Sequence, residues 1–567
     1  MKMAAGRAGA LRKNLGGLLI GGALLAYAGN AHAQQAQVSQ ATPQQAQTPP
    51  PATYQESPDP YKDYKSLDAY LGDDVVTRFY RYYRLEWGQA APPADPNAPP
   101  AAREGWPATP QTTPPMPFTE WPYGGSTSIG VSRPNSVDSP LMTAIANTNV
   151  GHLLNDNNIQ IYGWFNAGLN LSNNHTHPGG NFPAAYMYTP NTAELDQFVT
   201  YIERVPDTVQ TDHVDWGFRA SVLYGENYRY TTAFGIASEQ LLRHNSVNGY
   251  DFPMVYGELY IPAPLEGLLL RLGRFISLPD IEAQLAPNNY MYSHSLTYGY
   301  DNYTNTGLQA TQAVTKNFFV QFGVTLGSDT APWNYGQREP NLDPNPLYPG
   351  STYLKDPGNQ PSFTGCLRYT TDSGNDNIYL CADALNDGTY GYNNLQWTGG
   401  TYYHKFNDKW HISTEAYTLS ENHVPNIDNP NVQGWIANGG TPFSPQNGSL
   451  FNAPNAAHCG SNTELSCTSR SLTFLQYTNY RWSDLDNISF RSEFFDDMQG
   501  QRTGTKDRYV DFGIGWQHWF SPQVYIRPEF TWYAALDRPA FNGDANAGVA
   551  PNHFNAFIAA ADIIWKF

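Results

Sequence analysis

Eleven charged side chains fall on one parity of alternating segments, and they are the chain's main candidates for chemistry. Asp215, Glu258, Glu415, Glu493, Asp511 and Glu529 stand opposite the apolar residues of their segments, as do Arg219, Arg271, Arg368, Arg491 and Arg527. Facing a shared interior, a wall of both signs sets a transverse field that orients and sorts small polar solutes; rings of one sign would select by charge. The blander use of any single member is solvation, or pairing along the wall at a small net gain. There is no Gly-x-Ser-x-Gly and no His-Glu-x-x-His to mark a nucleophile or a zinc protease. A hydrolase could still assemble a Ser/His/Asn set from separate strands, which would leave no local motif. His175-Thr176-His177 puts two imidazoles at i, i+2 with no third ligand. That is too little for a metal, and we expect neither metal nor cofactor.

Two further groups carry weaker signals. Between Asn288 and Tyr303, the residues Tyr290, Tyr292, His294, Tyr298, Tyr300 and Tyr303 cluster. They either fold inward as a constriction suited to sugars or aromatic solutes, or pack an external loop. Cys366 and Cys381 flank the turn at Ser373-Gly374, and the register that sets them opposite also pairs Arg368 with Tyr379 and Thr370 with Asn377. A cross-strand disulfide near that end of the hairpin fits this spacing. Cys459 and Cys467 would close a small ring in a long loop. In an exported chain all four read as disulfides before they read as metal ligands.

The elements that must position these groups are strands. Ile159, Ile161, Phe165 and Leu169 alternate with Gln160, Tyr162, Asn166 and Asn170. The same period of two returns around 214–224, 318–326, 509–517 and 524–533, as apolar faces against polar ones. Short turns, such as Lys316-Asn317, Asn407-Asp408 and Ser521-Pro522, alternate with long polar stretches near 228–253, 279–304, 330–360 and 421–470. Short turns on one side and long loops on the other are the arrangement of an antiparallel up-and-down transmembrane barrel. The count comes to about sixteen strands over 158–567, enough to leave an aqueous channel. Two strands phase poorly, near 194–206 and 268–278; in the second, Arg271 and Arg274 fall on opposite faces, which needs a bulge or an Arg274 above the lipid band.

The last twelve residues alternate and end on an aromatic, with Trp565 and Phe567 on the apolar parity. The closing Trp-Lys-Phe resembles the carboxy-terminal strand signal that presents outer-membrane barrels to their assembly machinery. At the other end, Lys2, Arg7, Arg12 and Lys13 precede an apolar run from Leu15 to Ala28 and Ala31-His32-Ala33. We expect a signal peptide over 1–33, cleaved after Ala33. The run is shorter than the roughly 20 apolar residues that a membrane helix needs. Residues 34–117 form a Gln/Pro/Ala-rich extension with a helical spacing over 66–87, and 118–157 an irregular lead-in. Charged residues make up 14% of the chain and aromatics another 14%, a balance that suits a lipid-facing surface with aromatic girdles. The net charge of −18 argues against nucleic acid as a partner.

Four blocks are familiar: Ile161-Tyr162-Gly163-Trp164, Ala185 to Thr192, Tyr224 to Tyr230, and Gly273 to Gln284. They resemble the OmpL-like β-barrel porin family. The likeness covers roughly 120–567 and implies an outer-membrane barrel and passive transport, without naming a solute. The expectation is an all-β porin admitting small hydrophilic solutes, set in outer-membrane lipid, with no catalysis. By analogy of architecture a homotrimer is a candidate assembly. The rivals are an outer-membrane lipid hydrolase and a plugged barrel that binds or anchors at the surface.

Overall fold

A computed structural model describes residues 70–86, 129 and 139–567, apart from 185, 209, 234, 243, 245, 277–279, 335–337, 341–352, 356–358, 391–393, 438–455, 484, 522 and 545–547. The expected leader and most of the Gln/Pro/Ala-rich extension lie outside these residues.

Sixteen antiparallel strands close into a barrel, the fourth position being filled by two successive pieces. They are β1 (Ile159–Ser172), β2 (Ala193–Arg204), β3 (Asp215–Gly225), β4 (Val255–Ile261, preceded by Gly249–Asp251), β5 (Leu268–Ile276), β6 (Thr304–Ala313), β7 (Phe318–Ser328) and β8 (Ser362–Thr370). There follow β9 (Asp376–Leu385), β10 (Gln396–Lys405), β11 (Trp410–Pro425), β12 (Ser466–Ser483), β13 (Asp486–Asp497), β14 (Asp507–Ser521), β15 (Val524–Ala535) and β16 (Asn555–Lys566). Each pairs with its neighbours in chain order, and β16 closes on β1 with Phe165 opposite Trp565. Closure matters because an open edge of unpaired N–H and C=O groups is not tolerated in lipid.

Alternation sorts the side chains as the period of two requires. Leu272, Leu308, Phe322, Phe363, Leu380, Phe474, Phe512, Phe530 and Phe557 are exposed on the outer face. At the short-turn end the outer face carries Trp216, Phe406, Trp410, Trp482, Trp516 and Trp565, an aromatic girdle. No described helix is long and apolar enough to cross a membrane.

Both poorly phased strands have local causes. In β2 the register against β1 slips between Asn166 and Ala167, so Asp196 is the extra residue of a bulge. In β5 there is no bulge: Tyr256 stays opposite Gly273 and Val255 opposite Arg274. Instead Gly273 adopts φ +139°, and a Cβ there would meet the Val255 carbonyl oxygen at 2.2 Å. The turn in the backbone lets Arg271 and Arg274 both point inward, where Arg274 reaches Asp251 at 2.9 Å and the Thr231 carbonyl at 2.6 Å.

Before β1 the chain is more regular than its composition implied. A helix, α1, runs Val75–Glu86 within the stretch with helical spacing. The lead-in expected to be irregular holds two helices, α2 (Pro140–Ile145) and α3 (Asn149–Asp156). Their signals are short: Ser139 accepts from the Met142 amide with Pro140 at the first turn, and Thr148 accepts from the Gly151 amide at 3.0 Å. Tyr83 of α1 donates to the Lys566 carbonyl, and its ring lies 5.8 Å from that of Trp565, on the barrel's outer face.

Candidate functional site

The inner wall is polar, and all eleven charged candidates point into it, each at most 8% exposed. The wet wall that their parity implied is therefore not what the structure has. The water is displaced by the segment between β5 and β6, whose residues 280–303 are all buried. Of the two placements open for its aromatic cluster, the inward one holds. The segment leaves the wall at β5 and crosses to the opposite arc, β11 to β16.

Carboxylates of that arc grip the segment by its backbone. Glu415 accepts from the Ile281 amide at 2.9 Å, Glu529 from the Tyr292 and Ser293 amides at 2.8 and 3.0 Å, and Glu493 from the Leu296 amide at 2.9 Å and from Thr297. Two arginines grip its carbonyls. Arg491 donates to the Ser293 carbonyl at 2.8 Å and is ion-paired with Asp511 at 2.5 Å. Arg527 donates to the carbonyls of Ala286 and Asn289 at 2.9 and 3.1 Å and is ion-paired with Asp562 at 2.5 Å. An irregular segment removed from water must satisfy every such group. Tyrosines complete the contacts: Tyr533 donates to the His294 carbonyl at 2.9 Å, and Tyr417 to that of Thr297. Burial drives the His294 pKa down to about 3, so its imidazole is neutral.

The remaining candidates pair within the wall. Arg219 meets Glu203 at 2.5 Å and Glu258 meets Arg271 at 2.7 Å. Asp215 meets Arg204 at 2.9 Å, and Arg368 lies 4.7 Å from the Phe319 ring centroid. Spacing alone missed Glu203, Arg204 and Asp562. The first was hidden by the bulge in β2; Asp562 was visible as a lone acid on the inward parity of β16.

Cys366 and Cys381 stand directly opposite and are joined at 2.08 Å; Cys459 and Cys467 are joined at 2.01 Å. The first bond lies midway up the β8–β9 hairpin rather than near its turn. Trp565 is outward, and the Phe567 ring stacks 5.7 Å from that of Phe198.

Among the described residues two acidic groups have geometry that could hold a cation, Glu194/Asp196/Glu226, with Glu194 half-buried, and the fully buried Asp280/Asp301/Glu415, with oxygens within 4.8 Å of one another. In the second, burial and neighbouring carboxylates push Asp280 and Asp301 well above the usual range. Retained protons are then a sufficient account, and no metal is assigned. His175 and His177 are exposed and fall in neither group.

The family model described as "Putative beta-barrel porin-2, OmpL-like" matches residues 158–567. No curated protein matches. Among solved structures, an anion-selective porin from Comamonas acidovorans is 9% identical with a TM-score of 0.40, the alignment covering 72% of this chain and 99% of that one. The outer membrane channel DcaP of Acinetobacter baumannii is 8% identical with a TM-score of 0.41, covering 72% and 97%. OmpT of Vibrio cholerae, in a loop-deleted form, is 8% identical with a TM-score of 0.37, covering 72% and 99%.

Proposed function

Since the chain belongs to the OmpL-like beta-barrel porin-2 family, a family of porin-type outer-membrane channels, we propose that it passes small hydrophilic solutes by passive diffusion and performs no catalysis. The observation that carries this reading is the barrel's division into an apolar outer face and a polar inner wall of both signs. Residues 280–303 act as the constriction, and the clasping side chains set how much bore they leave. Export by a cleaved signal peptide, assembly through the closing strand and a homotrimer complete the proposal. The net charge of −18 favours cations or neutral solutes.

Conductance of the purified protein in planar bilayers tests it: stable steps of nanosiemens order are the expected result. One observation favours a second reading, a plugged barrel that binds or anchors at the surface: every residue of 280–303 is buried. A protein that stays silent, and is silent still when the clasps are weakened by Glu493→Gln with Glu529→Gln, would replace the first reading with the second.

A further inference from the structure

Two hairpins at the short-turn end repeat one arrangement on the lipid-facing parity. Tyr402 and His404 of β10, with Phe406 just beyond, match Trp516, His518 and Phe520 of β14. Across from each histidine stands the first residue of the preceding strand, Asp376 opposite His404 and Asp486 opposite His518. The distances agree closely. His404 Nδ1 lies 2.7 Å from Asp376 Oδ1, and His518 Nδ1 lies 2.8 Å from Asp486 Oδ1. The same carboxylate oxygen accepts from the Tyr402 hydroxyl at 2.8 Å in one hairpin and from Trp516 Nε1 at 2.9 Å in the other. Each phenylalanine meets its imidazole edge-on, at 4.4 Å and 79° for Phe406 and 4.7 Å and 88° for Phe520.

The chemistry follows from the donors. A carboxylate only accepts, so Nδ1 carries the proton, and in its neutral form the ring keeps Nε2 as an acceptor. In that form each pair sets the carboxylate's charge at the edge of the bilayer, beside aromatic rings. The histidine side chains stay 22% and 28% exposed. Lys405, the cation next to the first pair in sequence, is engaged by Asp408 at 2.8 Å. A primary ammonium suits this site: it donates to Nε2, neutralises the carboxylate and can lie against a ring face. A phosphate meets a like charge and no donor from a neutral ring. A quaternary ammonium has charge but no N–H.

We propose that the two hairpins are twin clasps for the primary ammonium of an ethanolamine phospholipid in the leaflet at the short-turn end. The inference rests on the barrel lying in a membrane, as in the proposed function, but not on its conducting. The test is the full chain in nanodiscs of mixed ethanolamine, choline and glycerol phospholipids, with retained lipid counted by native mass spectrometry after re-extraction. Wild type should hold ethanolamine lipid about fivefold over choline lipid, the ratio that one net hydrogen bond from the ammonium N–H implies. Asp376→Asn with Asp486→Asn, which keeps the shape, should abolish the preference, as should His404→Phe with His518→Phe. Either hairpin altered alone should halve the retained ethanolamine lipid. Equal retention of the two lipids by wild type overturns the proposal, and so does a preference that survives both double variants. Enrichment of glycerol phospholipid would show a phosphate site instead. Loss of self-association in the histidine variants, without ethanolamine retention by wild type, would assign the site to an amine of a second copy. Should the variants not fold, stepwise N-methylation of the headgroup decides on wild type alone: binding must fall at the trimethyl lipid. A non-conducting barrel that still enriches ethanolamine lipid would sink the channel reading and leave this one standing.

Discussion

Of the eleven predicted charges, the five along β3 to β8 are met by other residues of the wall, whereas five of the six along β11 to β15 reach across to residues 280–303 and Asp511 pairs with Arg491. Glu258 and Arg271 satisfy one another, and Arg368 rests on aromatic rings. Glu415, Glu493 and Glu529 spend their oxygens on backbone amides of the segment, and Arg491 and Arg527 divide their donors between a wall carboxylate and the segment's carbonyls. Residue type and parity are the same in both arcs. What differs is where the crossing segment lands: it excludes water on the far wall, and the charges there exchange hydration for peptide dipoles. One arc is built to hold the barrel together, the other to hold the crossing segment.

The largest expected effect comes from Arg491→Ala. It strands the Asp511 carboxylate in a buried site and releases the Ser293 carbonyl. Removing one partner of a buried pair costs about 3–5 kcal/mol. Denaturant unfolding should show that loss, and conductance should rise as the segment loosens. Arg271→Ala breaks a wall pair of similar burial, so it should destabilise while leaving conductance as it was. Equal rises in conductance for the two variants would break the distinction between the arcs.

Next comes Phe530→Arg, on the outer face of β15 between two strands of the clasping arc. A cation near the bilayer midplane costs about 2–4 kcal/mol. Unfolding in bilayers should register this, with ion selectivity unchanged. A change in selectivity would mean that the faces of β15 are inverted. A smaller effect is expected from Glu493→Gln alone. The carboxylate accepts the Leu296 and Thr297 amides on separate oxygens, so glutamine keeps one bond and leaves the other amide unmatched, at about 1–3 kcal/mol. Larger or noisier steps at a modest loss of stability are the outcome that sharpens the comparison.

Much of this architecture can be read from the chain, because a strand wet or lipid-facing on one side prints its period in the residue types. Val510, Phe512 and Ile514 against Asp511 are enough to orient β14. The same alternation places the eleven candidate charges inward. It cannot say that their wall is dry, since that depends on a loop whose path is fixed by contacts far away in sequence, such as Glu529 to Tyr292. Nor does parity survive a single glycine at φ +139°, which is why alternation asks for a bulge or an Arg274 above the lipid band where the structure has neither. The helices before β1 were lost for another reason. Their caps, Ser139 and Thr148, are short signals in a Pro- and Asn-rich stretch that reads as irregular. The aromatic segment stayed ambiguous because tyrosine serves equally in a buried crossing and in an external loop.

The smallest expected effect is a pH dependence of the crossing segment. Asp280 and Asp301 belong to the segment and meet Glu415 of β11. Burial and mutual repulsion hold both well above the ordinary carboxylate range, so each keeps a proton that the unfolded chain would have lost. The sign is fixed by that direction. The stability these two acids contribute is complete below the unfolded value of about 4 and is lost as pH rises through their raised folded values. Raising the pH from mildly acidic to alkaline should therefore loosen the segment before it loosens the barrel. Conductance would increase while heat-modifiability on gels is unchanged. Asp280→Asn with Asp301→Asn, which fixes both sites in a neutral form, should flatten the dependence. If the asparagine variant responds to pH as wild type does, the titrating groups lie elsewhere. The protonated carboxyls of the segment would then have no part in setting the bore.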